Sequence, residues 1–239
     1  MLSTLTNRRA ELVIWHLTDS ALPTGGFAHS AGLETYVLAE DITDAEGYGR
    51  WLHGYLRQAS YNEALAVKFA VELQKSELDD ATKRQLLVEL DQLAHACQTP
   101  KEVRTSMNSM GKRWSRVAAI VAPEDPLVTE YVAAINAREL KGNPGIAAGL
   151  VLGAHGVDVE DAVAASLMQM ANSMTQNAIR AIPLGQDAGQ RVLVGAYEAI
   201  EQAIETTMRH QTSDFGVAAP RLEVAQMAHE ALHSRMFMS

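Results

Sequence analysis

Two histidines near the C-terminal end have the spacing of a zinc site. His229-Glu230-Ala231-Leu232-His233 fits the His-Glu-x-x-His pattern, in which a helix places both imidazoles on one face and the glutamate acts as general base. A metalloprotease of this kind needs a third protein ligand, which the common zincins take from further along the chain. Only six residues follow His233, so an upstream residue such as His210 would have to supply that ligand. A zinc hydrolase is therefore an alternative interpretation, and we expect no metal site.

The other residues that could do chemistry are scattered. The remaining histidines do not cluster at two-to-four-residue spacing, so spacing predicts no nickel or zinc site: His16, His29, His53, His95, His155 and His210. Cys97 is the single cysteine, and His95, two positions before it, would not face it on a helix. We therefore predict no enzyme, no catalytic residue and no cofactor.

The stretch 20–36 concentrates turn-forming and polar residues. Pro23 fixes its own φ and the glycine pair that follows permits positive φ, so an arriving helix must end here. A second helix is expected to begin near Phe27 and to run to Leu38. The stretch contains no lysine and matches no phosphate-binding pattern, so a helix-turn-helix corner is the simplest interpretation. The residues that define this corner are Pro23, Gly25, Gly26, Phe27, His29, Ser30, Gly32 and Glu34.

Composition and periodicity predict an all-α fold. The chain has 239 residues, 47% of them hydrophobic but only 5% aromatic, and alternating β-branched runs are missing. Apolar residues recur instead at helical spacing. We expect a helical body over residues 1–210, followed by a segment 211–239 that comprises a loop, a helix near 222–233 and a tail, and that docks a partner. The tail should be mobile unless it is docked.

The charge and hydropathy of the chain argue against nucleic-acid binding and against a membrane or secreted location. A net charge of −9 and a pI near 5.4 argue against a nucleic-acid-binding surface. No signal peptide and no membrane span are predicted, and a single cysteine fits a reducing compartment, so we expect a cytoplasmic protein.

Two helical stretches carry unusual surface patterns. Thr99-Pro100-Lys101-Glu102 has the spacing of a capping box, and the helix that it starts, to about Val121, carries four cations. That basic face is either solvated or a surface for an acidic partner: Arg104, Lys112, Arg113 and Arg116. Glycines at 145, 149 and 153 predict a close helix crossing, in the core or in a dimer.

Four motifs, taken in order, resemble one family. Besides the stretch 20–36, the chain has Glu102-Val-Arg104 continuing to Gly111-Lys112-Arg113, then Arg180-Ala-Ile-Pro183-Leu-Gly185-Gln186, and finally His229-Glu230 followed by Ser234-Arg235-x-Phe237. Together they resemble the UreF family of urease accessory proteins. Two departures stand out, since the family usually has tyrosine at the position of His233, and often an aromatic residue or histidine near Asn143-Pro144-Gly145.

The resemblance implies a function without catalysis. Such a protein would be an all-helical homodimer that binds an accessory protein of the UreD or UreH type, recruits the GTPase UreG, and serves the insertion of nickel into apo-urease. An alternative role in the same complex is to activate or proofread GTP hydrolysis by UreG. The residues that the resemblance assigns to protein binding are Tyr36, His229, Glu230, Ser234, Arg235 and Phe237.

Overall fold

The computed structural model describes residues 2–239, with side chains from residue 8 onward. No strand occurs among them, which confirms the all-α prediction. The α-helices are α1 (Leu2–Thr18), α2 (Leu33–Leu38), α3 (Ala45–Ala59), α4 (Glu63–Lys75), α5 (Asp80–Ala96), α6 (Lys101–Val121), α7 (Pro126–Asn136), α8 (Pro144–Ala154), α9 (Val159–Ala181), α10 (Gln186–Gly195), α11 (Tyr197–Arg209) and α12 (Pro220–Ala228).

The centre of the molecule is the crossing of α4 and α8. The three glycines of α8 face α4: a Cβ at Gly149 would lie 2.7 Å from both the Ala70 Cβ and the Val67 carbonyl oxygen. A side chain at these positions would therefore push the two helices apart. The predicted close crossing is confirmed, and it lies in the core of one chain. Helix α9 crosses the same region and packs against α3, α4, α10 and α11.

The loop before α8 is held by a buried polar network. Asp91 accepts hydrogen bonds from the Tyr131 hydroxyl (2.8 Å) and from the amides of Lys141 and Gly142 (2.9 and 3.0 Å). The Tyr131 hydroxyl in turn accepts a hydrogen bond from the Asn143 amide. Buried polar groups that are paired in this way fix a single loop conformation. This loop lies against Gly111 of α6.

Three predicted elements differ from the structure. The expected helix from Phe27 is only a 3₁₀ turn at Gly26–Ala28, and α2 begins at Leu33 because Gly32 has a φ of 87°. Helical periodicity predicts Leu12 and Trp15 on the apolar side of the first helix, but both face outward, while Ala10, Val13 and Leu17 are buried. Helix α12 ends at Ala228, five residues before the predicted end.

Candidate functional site

The C-terminal residues fold back across the body of the protein. After α12 the chain makes a 3₁₀ turn at His229–Ala231 and becomes extended at Leu232. Residues 229–239, here called the tail, then contact the corner at 24–36, the first half of α6 and the end of α9. The tail is therefore docked on its own chain.

Glu34 holds the middle of the tail. It comes from the first turn of α2 and is buried. One carboxylate oxygen accepts a hydrogen bond from the Met236 amide. The other accepts a hydrogen bond from the Phe237 amide (3.1 Å) and also lies 2.9 Å from His229 Nε2. A carboxylate with several such partners is a strong acceptor, and the buried tail amides would otherwise lack a partner.

Glu102 makes a second charged contact with the tail. Its carboxylate lies 2.7 Å from His229 Nδ1 and accepts a hydrogen bond from Arg235 Nη1 (2.6 Å). Burial alone would raise the pKa of Glu102, but the hydrogen bonds with His229 and Arg235 outweigh it and leave that pKa below its usual value. The predicted capping box is therefore wrong, since Pro100 precedes α6 without a side-chain cap and Glu102 faces the tail instead.

Phe237 is buried within its own chain. Only 4% of its surface is exposed, and the Arg180 guanidinium lies 4.9 Å from its ring centroid. Arg180 also donates to the Phe27 carbonyl and to Asn177 Oδ1, and Asn177 Nδ2 donates to the His29 carbonyl (2.7 Å). The end of α9 thus ties the tail to the corner, and in this conformation the aromatic ring is not offered to a partner.

Ser239 completes the docking. Its carbonyl oxygen accepts hydrogen bonds from the Ser30 amide (2.5 Å) and the Ser30 hydroxyl (2.9 Å). Its hydroxyl lies 2.9 Å from His29 Nδ1 and 3.1 Å from Ser106 Oγ. Segments that are distant in sequence therefore converge on the tail: the corner and α6 contribute buried polar side chains, and α9 contributes the Arg180 guanidinium.

The side chains of the tail alternate between two faces. Phe237 and Ser239 point inward, whereas Met236 and Met238 are 62% and 66% exposed. Burial therefore alternates over the last four residues of the tail, although the backbone bends at Met236 and Phe237. The last outward side chains of the tail are methionines, whereas polar side chains are exposed earlier in it: Glu230, His233, Ser234 and Arg235.

The zinc-site interpretation is wrong in this structure. Because α12 ends at Ala228, His229 and His233 do not share a helical face, and His233 is exposed while His229 is fully buried. Both ring nitrogens of His229 already face carboxylates. Within residues 2–239, no group of three His, Cys, Asp or Glu side chains is placed to hold a metal ion.

Some residues of the motifs lie outside this cluster. Arg104 donates to the carbonyls of Gln98 and Thr99 before α6, and Gly111 lies against the loop at Gly142. Pro183 and Gln186 are exposed where α9 leads into α10, and Glu230 and Ser234 are exposed on the tail. Sequence reasoning missed the structural roles of Asn177, Ser106 and Ser239, because single polar residues in a helix or a terminus give no signal of a distant partner.

A shallow groove runs beside the tail between α2 and α12. It is lined by Thr35 and Tyr36 of α2, by Ala39 just after that helix, and by Arg221, Val224 and Ala225 of α12. The Thr35 hydroxyl donates to the Ala225 carbonyl and joins the two helices (2.8 Å). The structure thus places the predicted binding residue Tyr36, half-buried, in an apolar groove.

A small cavity of about 130 Å³ lies on the other side of the tail, between α6 and α9. Thioethers from both helices line it together with His29, Glu63 and Ser239: Met107, Met110, Met170 and Met174. Burial raises the pKa of Glu63, and one of its carboxylate oxygens has no hydrogen-bond partner. Ser239 is the tail residue that lines this cavity.

Lowering the pH should destabilise the folded protein, in which the tail is docked, through protonation of His29. Burial, together with the nearby Arg113 guanidinium, lowers the pKa of His29 below its usual value. A histidine whose pKa is lower in the folded chain adds stability above its ordinary pKa and loses that contribution as the pH falls below it. From about pH 7.5 to about pH 5.5 the free energy of unfolding should fall more for the wild type than for His29→Gln. Urea denaturation at both pH values measures this difference, and equal losses would contradict it.

The all-helical fold belongs to a class of proteins that is recognised from similarity to known sequences. The family model described as UreF matches residues 42–197. Urease accessory protein UreF of Corynebacterium glutamicum (strain R) is 41% identical over 96% of this chain and 98% of that relative. The corresponding proteins of Arthrobacter sp. (strain FB24) and Bacillus sp. (strain TB-90) are 39% and 35% identical, over 96% and 95% of this chain and 97% and 98% of theirs.

This chain belongs to the UreF family of urease accessory proteins. No helix of residues 2–239 has both the length and the apolar character needed to cross a bilayer.

Proposed function

We propose that this protein is a non-catalytic scaffold for the insertion of nickel into apo-urease. It binds a UreD- or UreH-type protein, and through that complex it recruits the GTPase UreG. The observation that carries the proposal is the convergence of the corner, α6 and α9 on the docked tail. Each of these segments contains one of the motifs that resemble the family, and each contributes a side chain that contacts the tail: Glu34, Ser106 and Arg180.

The outward side of this region is the proposed docking surface for the UreD- or UreH-type protein. Met236 and Met238 of the tail are exposed, as are Val224 and Met227 on α12 and Leu38 at the end of α2. Apolar side chains of this kind, with Tyr36 in the adjacent groove and Arg235 at the edge, are typical of a protein interface. In this proposal Phe237, His229 and Ser239 fix the position of the tail, and the methionines contact the partner.

The function is tested in cells that lack this gene and express the urease operon. Complementation with the full chain should restore nickel-dependent urease activity, whereas a chain ending at Leu232 should not, because it lacks the outward methionines. Circular dichroism of the purified truncated protein controls for its fold. If the deletion of the gene leaves urease activity unchanged, the proposed function is wrong. GTP turnover by UreG, measured with and without this protein, tests the regulatory role.

Arg235→Ala should weaken the complex with the UreD- or UreH-type protein and leave the fold intact. Its ion pair with Glu102 is partly exposed, so the loss of stability should be below about 1 kcal/mol. We expect at least about tenfold weaker binding if Arg235 is one of the few interface residues that cost more than about 1 kcal/mol, among which arginine is enriched. Arg50→Ala is the matched control, because Arg50 forms an exposed pair with Glu46 on α3. Equal affinity of both variants in a co-purification titration would count against this role of Arg235.

A further inference from the structure

The outer face of α6 carries a positively charged stripe. Residues at three- and four-residue spacing along the helix are all exposed and form this stripe: Thr105, Ser109, Lys112, Arg113, Arg116 and Ile120. Between Glu102 and Glu124 the sequence contains no acidic residue, although 29 of the 239 residues are Asp or Glu. The stripe is therefore a local excess of positive charge on an acidic protein.

The fold does not neutralise these cations. Among the described residues, the ion pairs of this protein involve none of Lys112, Arg113 and Arg116. Like charges at positions i and i+4 destabilise a helix by about 0.2–0.5 kcal/mol, so Lys112 and Arg116 oppose helix formation. The last turn of α6 contains no basic residue, so the helix dipole does not account for these positions.

The three cations differ in what they contact inside the chain. Arg113 lies over the corner, where a Cβ at Gly25 would collide with its guanidinium. Lys112 and Arg116 extend into solvent without such a contact, and Ile120, 76% exposed, continues the same face. Two free cations and an apolar side chain are thus available to a second molecule.

We propose that this stripe binds an acidic surface of a partner protein in the urease maturation complex, at a site separate from the tail. This inference rests on the proposed function and adds the chemistry of a second contact. Charge complementarity would remove the repulsion within the stripe and speed association. A protein fits better than nucleic acid, because the stripe is only roughly 22 Å long at about 1.5 Å per residue and the chain carries net charge −9.

The experiment compares two charge-reversed variants that carry the same change in net charge. Lys112→Glu/Arg116→Glu reverses the stripe, and Arg57→Glu/Arg191→Glu reverses two other exposed arginines, on α3 and α10. Each is titrated calorimetrically with the purified UreD- or UreH-type protein and with UreG, at about 50 mM and about 300 mM salt. We expect the stripe variant to bind one of these partners at least about tenfold more weakly than the control variant, with wild-type affinity for that partner falling as salt rises.

The outcomes distinguish this inference from the proposed function. If the wild type binds neither partner, the proposed function fails. If the wild type binds and the two variants bind equally well, the stripe proposal is overturned while the proposed function stands. Stripe-dependent binding to phosphatidylserine vesicles without any effect on either partner would also overturn it, in favour of a lipid surface. If the charge-reversed variant does not fold, Lys112→Gln/Arg116→Gln replaces it in the same titrations. This neutral variant should lose affinity for the same partner, but by a smaller factor.

Discussion

Gly111→Ala should destabilise the protein by at least about 2 kcal/mol, which is within the range measured for overpacked cores. A Cβ at Gly111 would lie 2.3 Å from the Gly142 carbonyl carbon and 2.6 Å from the Asn143 nitrogen. Both atoms belong to backbone that Asp91 and Tyr131 hold by hydrogen bonds, so the loop does not move aside without breaking that network. The start of α8 follows directly, and its displacement would disturb the crossing with α4.

A matched control for this change is Gly54→Ala on α3. A Cβ at Gly54 meets no atom within 4 Å, so the only effect should be the better helix propensity of alanine. That variant should gain up to about 1 kcal/mol. Urea denaturation of both variants gives the comparison. Equal free energies of unfolding for Gly111→Ala and the wild type would show that the loop at Gly142 adapts freely.

Glu34→Ala should release the tail and cost about 2–4 kcal/mol, because several buried groups lose their acceptor together. The amides of Met236 and Phe237 and the ring of His229 all contact this carboxylate. Alanine would leave these groups buried and unpaired, and undocking of the tail is the way to rehydrate them. The released tail would expose Phe237 and remove Ser239 from the lining of the cavity between α6 and α9.

Hydrogen exchange measures this release directly. The amides of Met236 and Phe237 should exchange at least about tenfold faster in Glu34→Ala, since each 1.4 kcal/mol of local stability corresponds to a factor of ten. Glu46→Ala is the control, because Glu46 is exposed on α3 and its pair with Arg50 is a surface ion pair. Exchange rates that match the wild type would show that other contacts suffice to hold the tail.

The predictable part of the structure is the part determined by local chemistry. Asp44 and Asp125 precede α3 and α7 and accept first-turn amides, so these helix starts can be derived from neighbouring residues. The α8 glycines indicated a close crossing because their propensity cost requires a packing reason. The sequence could not distinguish a core from a dimer at that crossing, because both place small residues on a helix face.

The residues that depart from local expectation are those with distant partners. Glu102 has the spacing of a capping residue, yet its carboxylate contacts a histidine 127 positions away. The helix signal continued past Ala228, whereas burial of His229 between two carboxylates accompanies an earlier end of α12. The resemblance to the UreF family identified the segments that meet in the site. Spacing alone could not show that they meet, since the contacts span most of the chain.

If the tail binds a partner as proposed, its alternating burial makes that binding depend on the completion of folding. Its register is set by Glu34, which lies 203 positions before Phe237, and by groups on α6 and α9. Met236 and Met238 therefore acquire a fixed outward spacing only after both ends of the chain have come together. A partner that binds these two methionines at that spacing would bind the fully folded chain and would not bind a partly folded or truncated one. Under the proposed function, the same short segment would both complete the fold and present the two methionines to the partner protein.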